Sequence, residues 1–400
     1  MRRIISFILV LSLCLCLFGF ASSASGIEGN DEIGTNNGAE NEQTSGFTAD
    51  IDAKSAILMD AETGAVLYAK NENEALPPAS VTKIMTLLLV AEALADERIK
   101  LDDAVTVSAN AASMGGSQIF IKEGEEFTVE ELLKSTIIAS ANDAAVALAE
   151  LISGSEAVFV AEMNERANEL GLKNTSFENT TGLDDTVSNH VTSAYDIALM
   201  SRELLKHDCI TKYSNVWQDS IRDGEFVLTN TNRLVRYYKG CTGLKTGSTD
   251  KAGFCVSATA ERDGLHLIAV IMGSPTRDLR NEAARALLDY GFSTYYMYKD
   301  IGCELESVPV LRGTIADTTV LSKDFTALIE KENQKKVEKK YEIPEVLNAP
   351  IKAGDKIGEI IYYIDENELG RTDIYVNEDI IEISFLDIIL NIITSVILGE

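Results

Sequence analysis

Hydrophobic and polar positions along the chain alternate in a way that predicts both strands and helices. Residues 55–69 form two short apolar runs around a glycine-containing turn, which is typical of a β-hairpin. Apolar residues then recur at helical spacing from Leu87 to Ala95, and Pro77 and Pro78 fix the entry of the chain. The pattern therefore predicts a hairpin followed directly by a helix.

Two more helices are predicted in the next hundred residues. Thr128 followed by Glu131 is a capping-box signature, so a helix is expected from there to Ile138. A second helix is expected over residues 143–152. The break between them, residues 139–142, leaves polar side chains free to face a cleft.

The pattern continues with a helix, a hairpin and a helix. A helix is predicted over residues 193–207, with Thr192 or Ser193 as its N-cap. Residues 253–260 and 265–272 predict an antiparallel hairpin. After it, residues 281–288 predict a helix that ends before Gly291 and Phe292.

Residues 1–24 read as a secretory signal. Arg2 and Arg3 precede an uncharged run over residues 4–20, and a run of small residues follows, with cleavage expected near Ala24. The alternative is an uncleaved anchor helix, although the run is at the short end of what spans a bilayer. We therefore expect an extracytoplasmic protein.

Composition divides the rest of the chain into four parts. Residues 25–46 are polar and acidic with almost no large apolar side chain, which predicts a flexible linker. Beyond Cys303, short β-rich runs separated by charged turns indicate a small β domain over residues 304–383. The main domain is then residues 47–303, and residues 384–400 predict a terminal amphipathic helix.

The terminal helix has one narrow polar stripe on an otherwise apolar surface, formed by Asp387, Asn391, Thr394 and Ser395. The run of residues 385–398 would be roughly 21 Å long, too short to span a bilayer of about 30 Å. We expect it to lie in the membrane interface. Because it lacks Lys and Arg, packing against a protein partner is the alternative.

Charge and cysteine content narrow the range of partners. The 400 residues are 46% hydrophobic and 24% charged, with a formal net charge of −28, which excludes a nucleic-acid partner because phosphate binding relies on Lys and Arg. Removal of the signal leaves four cysteines, and we expect free, buried thiols at Cys209, Cys241, Cys255 and Cys303. The three histidines are scattered, so we predict neither a metal nor a cofactor.

Ser80 and Lys83, three residues apart at the start of the first helix, are the first candidate for chemistry. Residues at this spacing share one helix face, so the amine can reach the hydroxyl and serve as its base if burial or another cation lowers its pKa. The motif is weak alone, since Ser248 and Lys251 repeat it. We place that second copy in a loop and choose the first.

Two further motifs follow in the chain. Ser140-Ala141-Asn142 lies in the break between two predicted helices, and we prefer it to the other Ser-Ala-Asn, residues 108–110, because a helix supports it. Lys245-Thr246-Gly247 opens a predicted strand. Arg277 and Arg280 lie beyond the hairpin that follows, and we leave them outside the motif set.

The three motifs in this order closely match the signature of class A β-lactamases and penicillin-binding proteins, with Ala141 where the pattern has Asp. The chain resembles a serine-type D-Ala-D-Ala carboxypeptidase, a low-molecular-mass penicillin-binding protein, over roughly residues 47–398. The resemblance implies an α/β (α+β) fold of three layers around a mostly antiparallel sheet, a small all-β domain and a terminal helix. It also implies a peptidoglycan stem peptide as substrate, β-lactams as inhibitors and a membrane surface as partner.

The resemblance also implies a role for each matching residue. Ser80 would be the nucleophile, Lys83 its general base and Ser140 a proton relay. The remaining positions would bind substrate, with the backbone N–H of Ser248 completing an oxyanion hole beside that of Ser80; these are Asn142, Lys245, Thr246, Gly247 and Ser248.

Three alternatives remain open on the sequence. A β-lactamase shares the motifs but needs a deacylating glutamate, and Glu178 lies in a region that does not match that loop pattern. A transpeptidase or endopeptidase would use the same chemistry on another acceptor or bond. A non-catalytic wall-binding or scaffold protein is the alternative of a different class, and the intact Ser80 and Lys83 argue against it.

Overall fold

The computed structural model describes Phe47 and residues 50–398. The predicted signal and linker, residues 1–24 and 25–46, lie outside the described residues. The helices are α1 Lys83–Ala95, α2 Ala109–Ala112, α3 Val129–Lys134, α4 Asn142–Ser153, α5 Glu156–Glu169, α6 Ala194–Leu204, α7 Asp208–Ser214, α8 Leu234–Tyr237, α9 Arg277–Thr294 and α10 Phe385–Leu398.

Strands occur in two groups along the chain. The first group is β1 Ser55–Asp60, β2 Val66–Lys70, β3 Ala104–Thr106, β4 Glu126–Thr128, β5 Gln218–Ile221, β6 Phe226–Thr229, β7 Cys241–Thr249, β8 Gly253–Arg262 and β9 Leu265–Ser274. The second group is β10 Tyr295–Asp300, β11 Val308–Leu311, β12 Asp317–Thr318, β13 Val320–Ser322, β14 Phe325–Glu330, β15 Val337–Glu342, β16 Leu347–Asn348, β17 Lys356–Ile364 and β18 Asn367–Val376.

A five-stranded antiparallel sheet of order β2-β1-β9-β8-β7 forms the centre of the main domain. Successive residues of β1 point to opposite faces, as a pleated strand requires. Ile57 and Met59 pack with the buried side chains of α1, α4 and α6, whereas Ala56 and Leu58 pack with those of α9. The sheet therefore lies between two helical layers, which confirms the predicted three-layer fold.

Helix α9 is longer than the sequence predicted. It begins at Arg277, with the Thr276 hydroxyl accepting from the Leu279 N–H, and continues to Thr294. Gly291, expected to follow the end of the helix, lies inside it. A Cβ atom there would lie 2.5 Å from a methyl carbon of Leu267, so this glycine lets the helix approach the sheet closely. The prediction of a helix end before Gly291 was wrong for that reason.

Helix α5 and the hairpin of β5 and β6 were not predicted. In α5 the buried apolar residues are only Phe159, Met163 and Ala167, at spacings of four. Most of the other residues of this helix are polar, so its signal is one narrow stripe. The hairpin of β5 and β6 carries Trp217, just before β5, to the edge of the site described below.

The C-terminal strands have a core of their own, which confirms the predicted all-β unit. A four-stranded sheet of order β13-β18-β17-β15 packs with a three-stranded sheet of order β12-β11-β16 around buried Val320, Ile360 and Ile374. Strand β10 pairs with β14 along its whole length, from Tyr295 opposite Glu330 to Asp300 opposite Phe325. Pairing with the C-terminal unit thus begins before residue 303.

Of the helices in the described part of the chain, none taken singly has both the length and the apolar character needed to cross a membrane. One pair, α4 and α5, meets the criteria of length and composition only when taken together, with a bend of 83° between them.

Candidate active site

Ser80 and Lys83 meet at the junction of a tight turn and helix α1. The turn Ala79–Thr82 is a 3₁₀ turn, and Lys83 is the first residue of the helix. The Lys83 Nζ lies 3.1 Å from Ser80 Oγ and also donates to Asn142 Oδ1 at 2.5 Å and to the Thr181 carbonyl at 2.9 Å. The predicted pair is therefore in contact.

The environment of Lys83 favours its neutral form. Its side chain is completely buried. Burial, reinforced by the charge of Lys245 and opposed by that of Asp143, holds the pKa of the Lys83 amine well below its usual range. A neutral amine that donates two N–H bonds, to the amide oxygen and the carbonyl, keeps one lone pair directed at the serine hydroxyl.

Ser140 and Lys245 form a second contact across the cleft. The short π-helical turn Ser135–Ala139 ends at Ser140, which adopts a left-handed backbone with φ of 62°. The Lys245 Nζ donates to Ser140 Oγ at 2.7 Å and to the Thr246 carbonyl at 3.0 Å. Burial, together with the positive charge of Arg280, lowers the pKa of Lys245 to about 7.

Asn142 and Asp143 hold the segment that faces Ser140. The Asn142 Nδ2 donates to the Gly115 carbonyl at 2.7 Å while its Oδ1 accepts from the buried lysine. The Asp143 carboxylate accepts from the backbone N–H groups of Ile119 and Ile121. Both residues lie at the start of α4, and their side chains hold the loop that contains Gly115, Ile119 and Ile121 against this helix. It is the helix that favoured this Ser-Ala-Asn motif in the sequence.

The competing Ser-Ala-Asn motif lies elsewhere. Ser108 is the N-cap of the short helix α2, and its hydroxyl donates to Glu150. The Asn110 side chain donates to the same carboxylate at 2.9 Å. Both residues therefore fasten α2 to α4.

The competing Ser-x-x-Lys motif is split between two structures. Ser248 lies on strand β7 and lines the cleft, so its predicted position in a loop was wrong. Lys251 lies in the turn after the strand, where its amine donates to the Asp184 carbonyl at 2.5 Å. The lysine of this motif thus supports a neighbouring loop.

Gly247 allows strand β7 to lie against the turn that carries Ser80. A Cβ atom on Gly247 would lie 2.6 Å from the Ser80 nitrogen and 2.9 Å from the Val81 nitrogen. Real Cβ atoms do not approach so closely, so a side chain here would force the strand and the turn apart. This glycine therefore sets the distance between the Lys245 motif and the serine.

The cleft between these elements has a volume of about 400 Å³. Sequence reasoning missed part of its wall, because the missed residues come from segments without a spacing pattern. The missed lining residues are Ser117, Trp217, Thr229, Asn230, Thr231, Arg233, Arg277 and Arg280. Of these, Arg277 and Arg280 were noted in the sequence and left outside the motif set; their position directly after the last strand of the sheet is the signal that could have included them.

His190 lies behind the Ser80 turn and was also missed. The Glu178 N–H donates to His190 Nδ1 at 3.0 Å, so the proton of the neutral ring is on Nε2, 2.7 Å from Thr82 Oγ1. The Thr82 hydroxyl in turn donates to the Ala79 carbonyl at 2.8 Å. Burial lowers the pKa of His190 to about 4, against the charges of Glu178 and Asp184, and keeps the ring neutral.

The four cysteines within the described residues are all free, as expected. Cys255 is buried and Cys209 and Cys241 are half-buried, but Cys303 is exposed, so the prediction that all four are buried was wrong there. Within the part of the chain that the structure describes, no group of three or more His, Cys, Asp or Glu side chains is arranged to hold a metal ion.

The three-layer fold and the three adjoining motifs define a class, the active-site serine enzymes to which class A β-lactamases and penicillin-binding proteins belong. Within this class, the chain belongs to the D-alanyl-D-alanine carboxypeptidase family, whose model matches residues 40–276. Residues 292–382 match the C-terminal domain of penicillin-binding protein 5. The predicted family is therefore confirmed.

Relatives and solved structures agree with this membership. The chain is 44% identical over 343 residues to the D-alanyl-D-alanine carboxypeptidase DacF of Bacillus subtilis, covering 84% of this chain and 87% of that protein. Penicillin-binding protein 5 of Haemophilus influenzae matches with a TM-score of 0.70 and 31% identity, covering 84% and 99%. Penicillin-binding protein D2 of Listeria monocytogenes, solved with ampicillin bound, matches with a TM-score of 0.56 and 31% identity, covering 60% and 98%.

Proposed function

We propose that this D-alanyl-D-alanine carboxypeptidase removes the terminal D-alanine of peptidoglycan pentapeptide stems through an acyl-enzyme on Ser80. The observation that carries the assignment is the buried Lys83 amine, in contact with Ser80 Oγ and with its other N–H groups held by Asn142 and Thr181. A serine needs such a base to become a nucleophile near neutral pH.

Acylation transfers one proton and exchanges one bond. Lys83 takes the proton of the Ser80 hydroxyl as Oγ attacks the carbonyl between the two D-alanines. The amide C–N bond then breaks, and the departing amine receives a proton through Ser140, whose Oγ is 2.7 Å from the Lys245 amine. Water hydrolyses the resulting ester and frees the serine. The amide of Asn142 binds the peptide on the acyl side.

Oxyanion stabilisation comes from the backbone. The N–H groups of Ser80 and Ser248 are the donors, and the tight approach at Gly247 supports this by bringing β7 against the Ser80 turn.

A local cationic site binds the terminal carboxylate of the substrate despite a net charge of −28. Lys245 and Thr246 supply this site, as the motif implies. Arg280, whose side chain is 3% exposed and lines the same cleft, adds a fixed positive charge next to them. A short-range pairing outweighs distant surface charge because salt screens charges separated by more than about 10 Å.

Acylation by a labelled penicillin, followed by mass spectrometry of the digested protein, tests the nucleophile. We expect one adduct, on Ser80, and none in Ser80→Ala. An adduct on another residue, or an unlabelled wild-type protein, would contradict the assignment.

Product analysis separates the alternatives. Release of D-alanine from a muramyl pentapeptide is expected, whereas a cross-linked product would indicate a transpeptidase and rapid turnover of penicillin a β-lactamase. The contacts of Glu178 weigh against the last, because its carboxylate accepts from the backbone N–H groups of Ser188 and Asn189 within its own loop. A protein that is acylated by penicillin yet releases nothing from the peptide would act as a wall-binding scaffold.

We also infer that the mature protein is exported and held on the outer face of the membrane by α10. Phe385, Leu386 and Ile397 are 77%, 68% and 74% exposed, so the helix presents large apolar side chains to its surroundings. Deletion of residues 384–400 should release the mature protein from sedimented membranes. Unchanged sedimentation of the deleted form, after its N-terminus is shown to be cleaved near Ala24, would contradict the role of α10.

A further inference from the structure

A groove with a volume of about 700 Å³ lies in the C-terminal unit and shares no lining residue with the active-site cleft. Its walls come from two segments that are distant in sequence. The lining residues are Glu304, Leu305, Glu306, Tyr341 and Ile343. Pockets of roughly 300–1,000 Å³ hold drug-sized ligands, so this groove has room for a short peptide segment.

Both walls of the groove belong to one sheet. The Leu305 N–H donates to the Val320 carbonyl at 2.9 Å, so residues 303–305 extend the four-stranded sheet beyond β13. The order then becomes residues 303–305, β13, β18, β17 and β15, and Tyr341 lies on β15. The groove therefore lies between the two outermost strands of this sheet.

Each of these outer strands has backbone groups that point away from its neighbour. Cys303 and Leu305 bond to β13, so the N–H and C=O of Glu304 point to the opposite side, towards the groove. Among the described strands, β15 pairs with β17 alone, so every second residue of β15 directs its N–H and C=O outwards. Open strand edges accept an extended segment from another chain, as in β-strand addition.

The floor of the groove is apolar. Leu305 and Ile343 are half-buried and pack against the core of the C-terminal unit. Tyr341, two residues before Ile343, shares its face of the extended chain and is 49% exposed. A segment that pairs with either edge would direct every second side chain onto this floor, so those side chains should be apolar.

The rim of the groove is acidic. Glu304 and Glu306 flank Leu305, so their side chains lie on the opposite face of the strand, and both are exposed. Within the described part of the chain, no ion pair involves either carboxylate. The outward-facing side chains of a bound segment would lie near these two charges.

The lysines of β15 leave that charge uncompensated. Lys339 pairs with Asp300 at 2.6 Å, and Lys340 pairs with Glu342 at 2.6 Å. Both amines are thus already matched by carboxylates other than the two on the rim. Charge complementarity therefore favours Lys or Arg at the outward-facing positions of the bound segment.

The protein's own terminal segments do not have this composition. Residues 25–46 contain acidic side chains but no Lys or Arg, and residues 385–398 contain none either. The same holds for a second copy of the chain. A basic segment that fits the groove must therefore come from a different protein.

We propose that this groove is a docking site for another protein, which adds an extended segment of alternating basic and apolar residues to the sheet. The apolar side chains contact Leu305, Tyr341 and Ile343, and the basic ones pair with Glu304 and Glu306. Because no cleft residue takes part, the partner is held beside the enzyme while the active site stays open. The docking site is independent of the reaction proposed at Ser80.

Two peptides of equal composition test the pattern on the mature wild-type protein. One is fluorescein-labelled Lys-Val-Lys-Val-Lys-Val-Lys, and the other has the same residues in two blocks, Lys-Lys-Lys-Lys-Val-Val-Val. At physiological ionic strength, where charges further apart than about 8 Å are largely screened, anisotropy should show about tenfold tighter binding of the alternating peptide. Equal affinities would reduce the effect to unspecific charge attraction and overturn the proposal.

Backbone pairing is tested with N-methylated forms of the alternating peptide. Methyl groups are placed on every second peptide nitrogen, in two versions that together cover all positions. At least one version should bind as weakly as the block peptide, because it has lost its N–H groups on the paired edge. If both versions kept full affinity, strand addition would be excluded.

The rim charges are tested by a pair of double variants. Glu304→Gln with Glu306→Gln should weaken binding of the alternating peptide about fivefold, as expected for two exposed ion pairs. Glu162→Gln with Glu165→Gln, on α5 of the main domain, removes the same net charge and should bind as wild type does. Equal losses in both double variants would mean that the groove carboxylates have no specific role.

Hydrogen exchange locates the bound peptide. Amides of residues 303–306 and 337–343 should exchange more slowly in its presence, and the rate of acylation by penicillin should not change. Protection confined to other segments, or acylation slowed by the peptide, overturns the assignment to this groove.

Two other occupants would be recognised in the same preparation. If the protein alone doubled its mass in light scattering and the peptide reversed this, the groove would be a contact between copies. If the form without residues 384–400 bound phosphatidylglycerol vesicles and the peptide displaced it, the groove would face lipid. Either result would overturn a protein partner of a different sequence.

Discussion

A neutral Lys83 amine has two N–H groups that can donate and one lone pair that can receive a proton. Its three contacts match this set. Two of its contacts, Asn142 Oδ1 and the Thr181 carbonyl, can only accept, so the amine must donate to both. The third contact, Ser80 Oγ, can donate. In the proposed mechanism, proton transfer from Ser80 then needs no rearrangement of the other two hydrogen bonds.

The pH dependence of acylation should reflect the charge of Lys245. In the proposed mechanism, acylation requires neutral Lys83, so its rate should rise with pH through the pKa of this amine. In Lys245→Gln, the positive charge that helps to lower this pKa is removed, so the pKa of Lys83 should rise and the acid limb should move to higher pH. The shift is measured as the midpoint of the acid limb when the rate constant for acylation by fluorescent penicillin is plotted against pH. This midpoint does not depend on the loss in maximum rate.

Lys206→Gln is the control for this shift, because Lys206 is paired with Glu203 on the surface. Its profile should superimpose on that of wild type. A Lys245→Gln midpoint at or below the wild-type value would mean that the two amines are not electrostatically coupled.

Thr82 connects His190 to the Ala79 carbonyl, which directly precedes Ser80. Thr82→Val removes both hydrogen bonds, leaves the ring N–H and the Ala79 carbonyl without this partner, and should lower the free energy of unfolding by about 1–3 kcal/mol. Because Ala79 adopts a strained φ of 49°, the loss should also slow acylation. Chemical denaturation and stopped-flow acylation measure the two effects.

Thr86→Val separates positioning from stability. Thr86 is equally buried, one turn further along α1, and its hydroxyl donates to the Thr180 carbonyl at 2.7 Å and not to the turn that carries Ser80. We expect a similar loss of stability and a smaller loss of acylation rate. If both variants lost acylation rate equally, the Thr82 hydrogen bonds would contribute to stability alone and not to the positioning of Ser80.

At the scale of residues, the sequence predicted contacts within a motif better than contacts between segments. Ser80 and Lys83 meet because a short helical spacing brings them together. Arg280 and His190 were not assigned to the site, since their contacts with Cys255 and Thr82 join distant segments and leave no local sequence signal.

Among the elements, the loop before α6 packs tightly against the turn that carries Ser80. Gly182 has φ of 82°, and a Cβ atom there would lie 1.8 Å from the Ala79 carbonyl oxygen. Gly182→Ala should therefore displace the loop or the turn. Overpacking should lower the free energy of unfolding by about 1–3 kcal/mol beyond the backbone penalty of the positive φ, and the acylation rate should fall sharply. Urea denaturation and labelling rates report both.

Gly154→Ala provides the matched control. Gly154 ends α4 with nearly the same φ, 77°, but its Cβ position has no atom within 4 Å. In Gly154→Ala the free energy of unfolding should fall only by the backbone penalty, about 1–2 kcal/mol, and the acylation rate should be unchanged. If Gly182→Ala behaved no worse than this control, the loop would not be holding the Ser80 turn.

Element ends were predictable where a local signal marks them. The Thr128 capping box begins α3 as predicted, because both of its hydrogen bonds lie within four residues. The end of α9 was not predictable, since Gly291 serves the packing of the helix on Leu267, a contact between distant segments. The hairpins β1–β2 and β8–β9 were predictable from local pattern, whereas the hairpin β5–β6 and the order of strands in the central sheet were not.

For the whole molecule, all the residues that line the cleft lie between Ser80 and Arg280, so the C-terminal unit contributes none of them. The Listeria protein D2 supports this separation, because 98% of it matches only 60% of this chain. The composition indicated two such units. It could not show that β10 would join them, pairing with β14 while its Met297 packs with the core cluster of α9.

Two truncations should therefore behave differently. A chain that ends at Cys303 keeps β10 but loses β14, so six residues with open backbone pairing groups remain at an edge, and we expect self-association. A chain that ends at Thr294 has no open strand there and should stay monomeric, somewhat less stable without Met297, with its penicillin acylation rate preserved. Light scattering gives the mass of each, and labelling gives the rate. If the longer form stayed monomeric and the shorter one were not acylated, β10 would belong to the peptidase domain, because its packing with α9 would then outweigh its pairing with β14.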